Sequence, residues 1–310
     1  MQNKSLGSAL ISALFIMTLV AIAATAMSTR LRLDIYRTSA HINSDKLYLA
    51  SQAVTWWAMD KLSAQNNSSN TLNTKEKIFT FPTKLQSIYP NVHTEGAVYD
   101  LQARFNVNNL QDKKFHALFY RLLENWPKKI NQSDRKLIFD ATTHWIRTNR
   151  LEQGADSFSS AYLQRNPPYN PGHQPMRNIS EFRLVSGVTP DVYQMALPVM
   201  TALPEITPIN INTAPKAILM TLGNGLDAAQ VKEILVAREE SGGITLANSI
   251  SLLQKLNIPK EQVTVESNYF LSIATTSSRD SHLTVYTVIK RTRTRQGMLT
   301  SIISESLNTP

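Results

Sequence analysis

The 310-residue chain contains no cysteine, so disulfides, thiolate metal sites and cysteine nucleophiles are excluded. Catalytic signatures are missing as well. The six histidines, at 41, 93, 116, 144, 173 and 282, form no HxxxH or HExxH pair. No GxSxG, Walker A or GxGxxG sequence occurs. An enzyme, a membrane-anchored hydrolase included, therefore finds no supporting motif. Acidic residues are the scarcer charge: 23 Asp and Glu stand against 32 Lys and Arg, giving a net charge of +9 and a pI near 9.6. That balance suits lipid headgroups, nucleic acid or an acidic protein face, and equally a plain solvated basic surface. The hydrophobic share of 42% is enough for one large or two modest cores.

Charge of either sign is missing from Ser8 to Thr29. At roughly 1.5 Å per residue this 22-residue run is long enough for the hydrocarbon core of a bilayer. Only Lys4 precedes it, while Arg30 and Arg32 follow directly, so charge alone sets the orientation poorly. A cleaved secretory signal is the competing reading, because Ala21, Ala23, Ala24 and Ala26 could supply a small-residue cleavage site. The leader MQNKSLG is short, polar and ends in Gly7. Beyond the run, a helical pattern without Pro or Gly continues through Leu31, Ile35, Leu47, Leu49, Val54, Trp57 and Met59.

These features together resemble the type IV pilin family. The resemblance implies a leader cut by a prepilin peptidase between Gly7 and Ser8. The apolar run then stays on the mature protein as an inner-membrane anchor, with the globular part in the periplasm. Most members carry a glutamate as fifth mature residue, and here that position is Ser12. A carboxylate in an apolar span costs a few kcal/mol unless paired. In the family the pairing is with the amino terminus of the neighbour above, so a subunit lacking the glutamate needs no such neighbour. That is similar to the K-type minor pseudopilin of type II secretion, placed at the filament tip.

The remaining pattern gives an α+β chain. Asn66 to Thr74 reads as a polar loop, and Ala97 to Asn108 alternates as a strand. Tyr269 to Thr275, His282 to Lys290 and Met298 to Glu305 read as an antiparallel meander with Gly297 in the last turn. Helices are expected over Lys113–Glu124, Ser133–Thr148, Val188–Leu203, Thr213–Leu222 and Asp227–Glu239. The expected fold is type IV pilin-like, a long N-terminal helix plus antiparallel sheet, with a large all-α insertion. Its divisions are 1–7 leader, 8–29 membrane span, 30–109 helix continuation and first pilin part, 110–265 insertion and 266–310 closing strands. A separate C-terminal β domain is the alternative. Trp56 and Trp57 are expected to pack the helix on the sheet, and His144 beside Trp145 to be a core histidine.

The segment from Ile209, ININTAPKAILMTLGNGLDAAQVKEILVAREE, reads as a helix-hairpin-helix. Thr213 is the expected first cap, Gly223 and Gly225 the positive-φ turn, Asp227 the second cap, and Arg238 a cation at the helix end. Such turns can hold a DNA phosphate on their amides. A membrane-anchored DNA receptor of a competence or type IV pilus system is therefore the alternative function. The turn GNGLDAA offers no Lys or Arg, and nucleic acid is not an expected partner.

The same hairpin is a mark of the K-type family. ARFNVNNL (Ala103–Leu110) resembles its GRFNLNNL block, and NPPY (Asn166–Tyr169), SEF (Ser180–Phe182) and Leu203-Pro204 follow in the family's order. The resemblance covers nearly the whole chain. It implies a non-enzymatic tip subunit that nucleates assembly with the I-, J- and H-type minor pseudopilins and the major pseudopilin, and that meets exported substrates or the outer-membrane secretin. It also implies a calcium site near a DWID-x-D and GAED-x-x-Y pattern. Here the first block reads HWIRTNR, placing Arg147 and Arg150 where acids would stand, and the second keeps Asp156 but has Ser157 next. Glu152 and Asp156 are the candidate calcium ligands, or equally salt-bridge partners of the two arginines.

Overall fold

The computed structural model describes residues 6–64, 76–87, 89–148, 157–240, 242–279, 281–295 and 297–309. Helix α1 runs unbroken over Leu6–Ala64, 59 residues and about 88 Å at the usual rise. Neither Pro nor Gly interrupts it between Ser8 and Ala64. Its upper half presents Leu47, Ala50, Val54, Ala58 and Leu62 at three- and four-residue spacing, all buried. These residues lie on a five-stranded antiparallel sheet. The approach is close at Gly96, where a Cβ would stand 2.3 Å from Val54 Cγ1.

Strands β1 (Lys77–Thr80) and β2 (His93–Asp100) open the sheet. The insertion follows with β3 (Phe105–Asn106), α2 (His116–Glu124), α3 (Gln132–Ile146), α4 (Ser157–Leu163), α5 (Pro190–Ala196) and β4 (Met200–Thr201). It continues with β5 (Ile209–Asn210), α6 (Lys216–Leu219), α7 (Ala228–Glu240), α8 (Leu246–Lys255) and β6 (Val263–Thr264). Strands β7 (Tyr269–Ser278), β8 (Ser281–Thr294) and β9 (Gly297–Leu307) complete the sheet in the order β1-β2-β7-β8-β9. Asp100 of β2 pairs with Phe270 of β7, so residues 101–268 leave and return at one end of two adjacent strands. The C-terminal strands therefore share the first strands' sheet rather than forming a β domain of their own.

The insertion has its own apolar core, with Phe105, Leu118, Phe119, Leu122, Ile138 and Tyr162 essentially unexposed. Each such side chain contributes roughly 1.5–3 kcal/mol by burial. Phe105 stacks on Phe119 at 5.5 Å between centroids.

Several expectations need correction. The strand expected from Ala97 to Asn108 ends at Asp100, whose carboxylate takes the amide of Gln102 and turns the chain into a short 3-10 segment. The helix expected over Val188–Leu203 is cut to α5, and the chain then extends so that Met200 can bridge Phe105. Trp57 does pack at the sheet, edge-on to Phe81 at 5.4 Å. Trp56, one helical step away, is 63% exposed on the other side of α1. The loop expected over Asn66–Thr74 lies outside the described residues.

Candidate assembly site

Two features of the structure bear on assembly: the uncovered face of α1 and the junction that holds the insertion on the sheet. From Ala9 to Lys46 every residue of α1 is exposed. The helix holds an 18-residue window of mean hydropathy 2.4 with none of it buried, so it is long and apolar enough to cross a bilayer. The apolar surface does not stop with that window. Ile35, Ile42, Leu49 and Trp56 recur at every seventh position, with exposures of 60%, 49%, 53% and 63%. At 3.6 residues per turn this stripe lies on the face turned away from Val54 and Ala58. Gly7 and Ser8 fall within α1 as its first residues, and Ser12 lies in its exposed first turns.

The junction is polar. Oδ1 of buried Asp100 accepts from Gln102 N, 2.8 Å. Oδ2 accepts from the hydroxyls of Thr213 (2.6 Å) and Ser267 (2.7 Å) and from the amide of Asn210 (2.9 Å). One carboxylate thus ties the outgoing strand, the ININTA segment and the returning strand. Burial pushes the Asp100 carboxyl up, against the pull of those donors. Nearby, Glu205 of the insertion accepts from Tyr269 OH (2.6 Å) and Lys290 Nζ (2.8 Å) on the sheet, which holds its carboxyl below the usual range. Gln102 adds a bond to the Pro208 carbonyl, 3.0 Å.

Within the insertion one device occurs twice. In Phe105-Asn106-Val107-Asn108 and Ile209-Asn210-Ile211-Asn212, the first asparagine accepts from the amide two residues on, at 3.1 and 3.0 Å. The second asparagine brackets distant backbone. Asn108 donates to the Met176 and Leu203 carbonyls and accepts from Met176 N. Asn212 donates to the Ile244 and Val265 carbonyls and accepts from Ile244 N. Each block also begins with a two-residue parallel bridge, β3 to β4 and β5 to β6.

The expected hairpin departs from its pattern. Thr213 is committed to Asp100 and does not cap; Pro215 precedes α6, a single turn of four residues. Asp227 caps α7 as expected, exchanging bonds with Gln230 at 2.8 and 3.0 Å. Gly223 and Gly225 take φ of +57° and +94°. Arg238 is not a surface cation at a helix end. It is buried and donates to the Ile211 and Ala214 carbonyls, and burial lowers its pKa to about 10. The turn is closed to a phosphate. Gly223 N donates to Gln262 Oε1 and Gly225 N to the Leu222 carbonyl, at 3.0 and 2.9 Å. A Cβ on Gly223 would stand 2.8 Å from the Asn257 carbonyl oxygen, so this turn is packed inward. The DNA reading has no support in this geometry.

Glu152, Asp156 and Arg150 lie outside the described residues, between α3 and α4. Arg147 is exposed at the end of α3. Among the described residues no group of three or more His, Asp or Glu is placed to hold a metal. His144 is half-buried, stacked on Phe158 at 5.3 Å and edge-on to His173 at 5.0 Å, in keeping with a packing role.

A long anchoring helix laid on an antiparallel sheet, with an insertion between neighbouring strands that is mainly helical but, against expectation, holds two short parallel bridges, defines a pilin-like assembly subunit. A chain of a crystal structure described as the GspK-GspI-GspJ complex of the enterotoxigenic Escherichia coli type 2 secretion system shares this fold. The TM-score is 0.68 at 21% identity, over 88% of this chain and 100% of that one. Two family models, both described as type II secretion system (T2SS), protein K, match residues 103–205 and 209–267, together just over half the chain. Type II secretion system protein K of Klebsiella pneumoniae is 27% identical over 269 residues, covering 81% of this chain and 80% of that protein. The Pectobacterium carotovorum protein of the same description is 26% identical, covering 79% of each. The chain belongs to the type II secretion system protein K family, and it is a membrane-anchored subunit with a globular part.

Proposed function

We propose that this protein is the tip subunit of a type II secretion pseudopilus, nucleating assembly by binding other minor pseudopilins and so supporting export across the outer membrane. The observation that carries this is the α1 stripe Ile35, Ile42, Leu49 and Trp56, an apolar seam left uncovered above the membrane span. A seven-residue repeat suits packing against another helix. The I- and J-type minor pseudopilins are the first partners; the H-type and the major pseudopilin join below. The exported substrate and the secretin are the contacts beyond the tip. No catalytic step belongs to this reading.

Cleavage by prepilin peptidase falls between Gly7 and Ser8, leaving the span in the inner membrane and the globular part in the periplasm. Ser12 replaces the glutamate that would pair with a subunit above, which fits a terminal position. The divisions 1–7 and 8–29 follow this reading, but β2 ends at Asp100 and β7 resumes at Tyr269, so the insertion runs over 101–268 rather than the expected 110–265. No step is derived through calcium: Arg147 flanks the candidate ligands Glu152 and Asp156, and the described residues offer no carboxylate cluster there.

The test is a double substitution, Leu49→Glu with Trp56→Glu, in the full chain. Both side chains are exposed, so the thermal midpoint should hold while co-purification with the I- and J-type subunits from membranes is lost. Retention of both partners would refute the seam. The intact mass of the membrane-purified chain should place Ser8 at the amino terminus, and a mass that keeps residues 1–7 would refute the cleavage site.

A further inference from the structure

The sheet has two edges of unlike character. β1 is four residues long, carries an irregularity between Lys77 and Phe79, and is followed after Phe81 by Pro82. Short length, a bulge and a proline are the devices that keep an edge from pairing. β9 is 11 residues long, contains no proline, and pairs among the described residues only with β8. Its outer row of backbone amides and carbonyls is a free ladder. Leu299, Ile302, Ile303 and Leu307 are 59%, 42%, 43% and 50% exposed. Its one charged residue, Glu305, is held by Tyr48 OH (2.9 Å) and Gln52 Nε2 (2.8 Å) of α1, so it does not guard the edge. A single bulge at Ile303, where the register steps from Ser304 to Ile302, leaves Met298–Ile302 as an unbroken stretch. That stretch, MLTSI, has neither charge nor glycine. A bare edge of this kind invites aggregation unless something covers it.

Position and charge say what the cover is. Ile289, which pairs with Ile302, packs against Ala58 and Leu62 of α1. Thr287, which pairs with Glu305, meets Thr55 of α1 at 3.4 Å. The edge therefore runs level with the part of α1 where Trp56 faces outward, continuous with the seam assigned above to partner subunits. The turn end of the edge is cationic, with exposed Arg293 on β8 and Arg295 just beyond it, while Lys290 is taken by Glu205 and buried Arg291 by the Ser267 carbonyl.

We propose that β9 is a strand-pairing edge that accepts an extended, acid-bearing strand of a neighbouring pseudopilin, backbone to backbone along Met298–Ile302. The acid of the incoming strand meets the Arg295 end, and its apolar residues pack beside Leu299 on one face of the sheet and beside Ile302 on the other. This rests on the tip-subunit reading, but it assigns a second surface to it. The partner is bound through main-chain pairing at the sheet as well as through helix packing at α1.

The test is hydrogen exchange on the full chain in detergent, alone and with the I- and J-type subunits. Alternate amides within 298–302 should exchange at least ten-fold more slowly in the complex. Protection of 35–56 on α1 with 298–302 unchanged would overturn the edge proposal and leave the tip-subunit reading standing. Protection of neither would overturn both. As a second measurement, Leu299→Lys with Ile302→Lys should leave the thermal midpoint of the free chain unchanged and weaken complex formation at least ten-fold. Undiminished affinity in that variant would also overturn the proposal.

Discussion

Where α1 meets the sheet, apolar packing does the holding, with small and β-branched side chains at its centre and Leu47 and Leu62 at its ends. Ala50, Val54 and Ala58 are fully buried, Gly96 lets the helix come close, and Thr55 with Thr287 is a rare buried polar contact. The insertion is held differently. Alongside its apolar core, buried Asn106, Asn108, Asn109, Asn210 and Asn212 take the place of regular sheet ladders. A helix on a sheet satisfies its own backbone and can rely on shape. A compact unit of short helices and two-residue bridges leaves backbone groups that side-chain amides must satisfy.

That contrast can be broken at graded points. Phe119→Ala in the insertion core should cost the most, about 3–5 kcal/mol by denaturant unfolding. Asn108→Ala should follow at about 3 kcal/mol, because it strands the Met176 and Leu203 carbonyls and Met176 N. Its counterpart Asn212→Ala should behave alike. A loss below about 1 kcal/mol at both would show that the asparagines are incidental. At the other junction, Gly96→Ala should cost about 1–3 kcal/mol by forcing a Cβ onto Val54. In the Val54→Ala background that cost should largely vanish, and additive losses would refute the close approach.

The smallest effect belongs to Glu205→Gln, at most about 1 kcal/mol because the ion pair is half exposed. Its sign follows from the lowered carboxyl. The contribution is present above the ordinary value near 4.5 and is lost as pH falls through the lower folded value. Wild type and variant should therefore converge on acidification. Asp100 works in the opposite sense, since its raised carboxyl makes the ionised form costly above the ordinary value of 3.8. Comparing the Glu205 variant with wild type at each pH cancels that term.

The same contrast explains what was legible. α1 and the last three strands could be read because period 3.6 and period 2 were uninterrupted by Pro or Gly over long stretches. In the insertion, α2, α3 and α7 could be read almost to their ends, but the segments joining them could not. Helix α8, LANSISLLQK, was not among the expected helices, and the two-residue bridges of β3 to β6 are too short for periodicity to reveal. Asp100 sits at a strand end with nothing local to mark it; its partners Asn210, Thr213 and Ser267 lie more than a hundred residues away. The asparagine device left one trace in the spelling, apolar-Asn-apolar-Asn at 105–108 and again at 209–212. Trp56 was misplaced because a one-residue step on a helix turns a side chain by about 100°, and both tryptophans had been set on one face.

The central claim is that the bare seam of α1 exists to bind other minor pseudopilins. The most direct measurement is the mass, by light scattering in detergent, of the full chain mixed with I- and J-type subunits. The account predicts one particle containing all three in fixed stoichiometry; three separately migrating species, with this chain alone at its own mass, would contradict it.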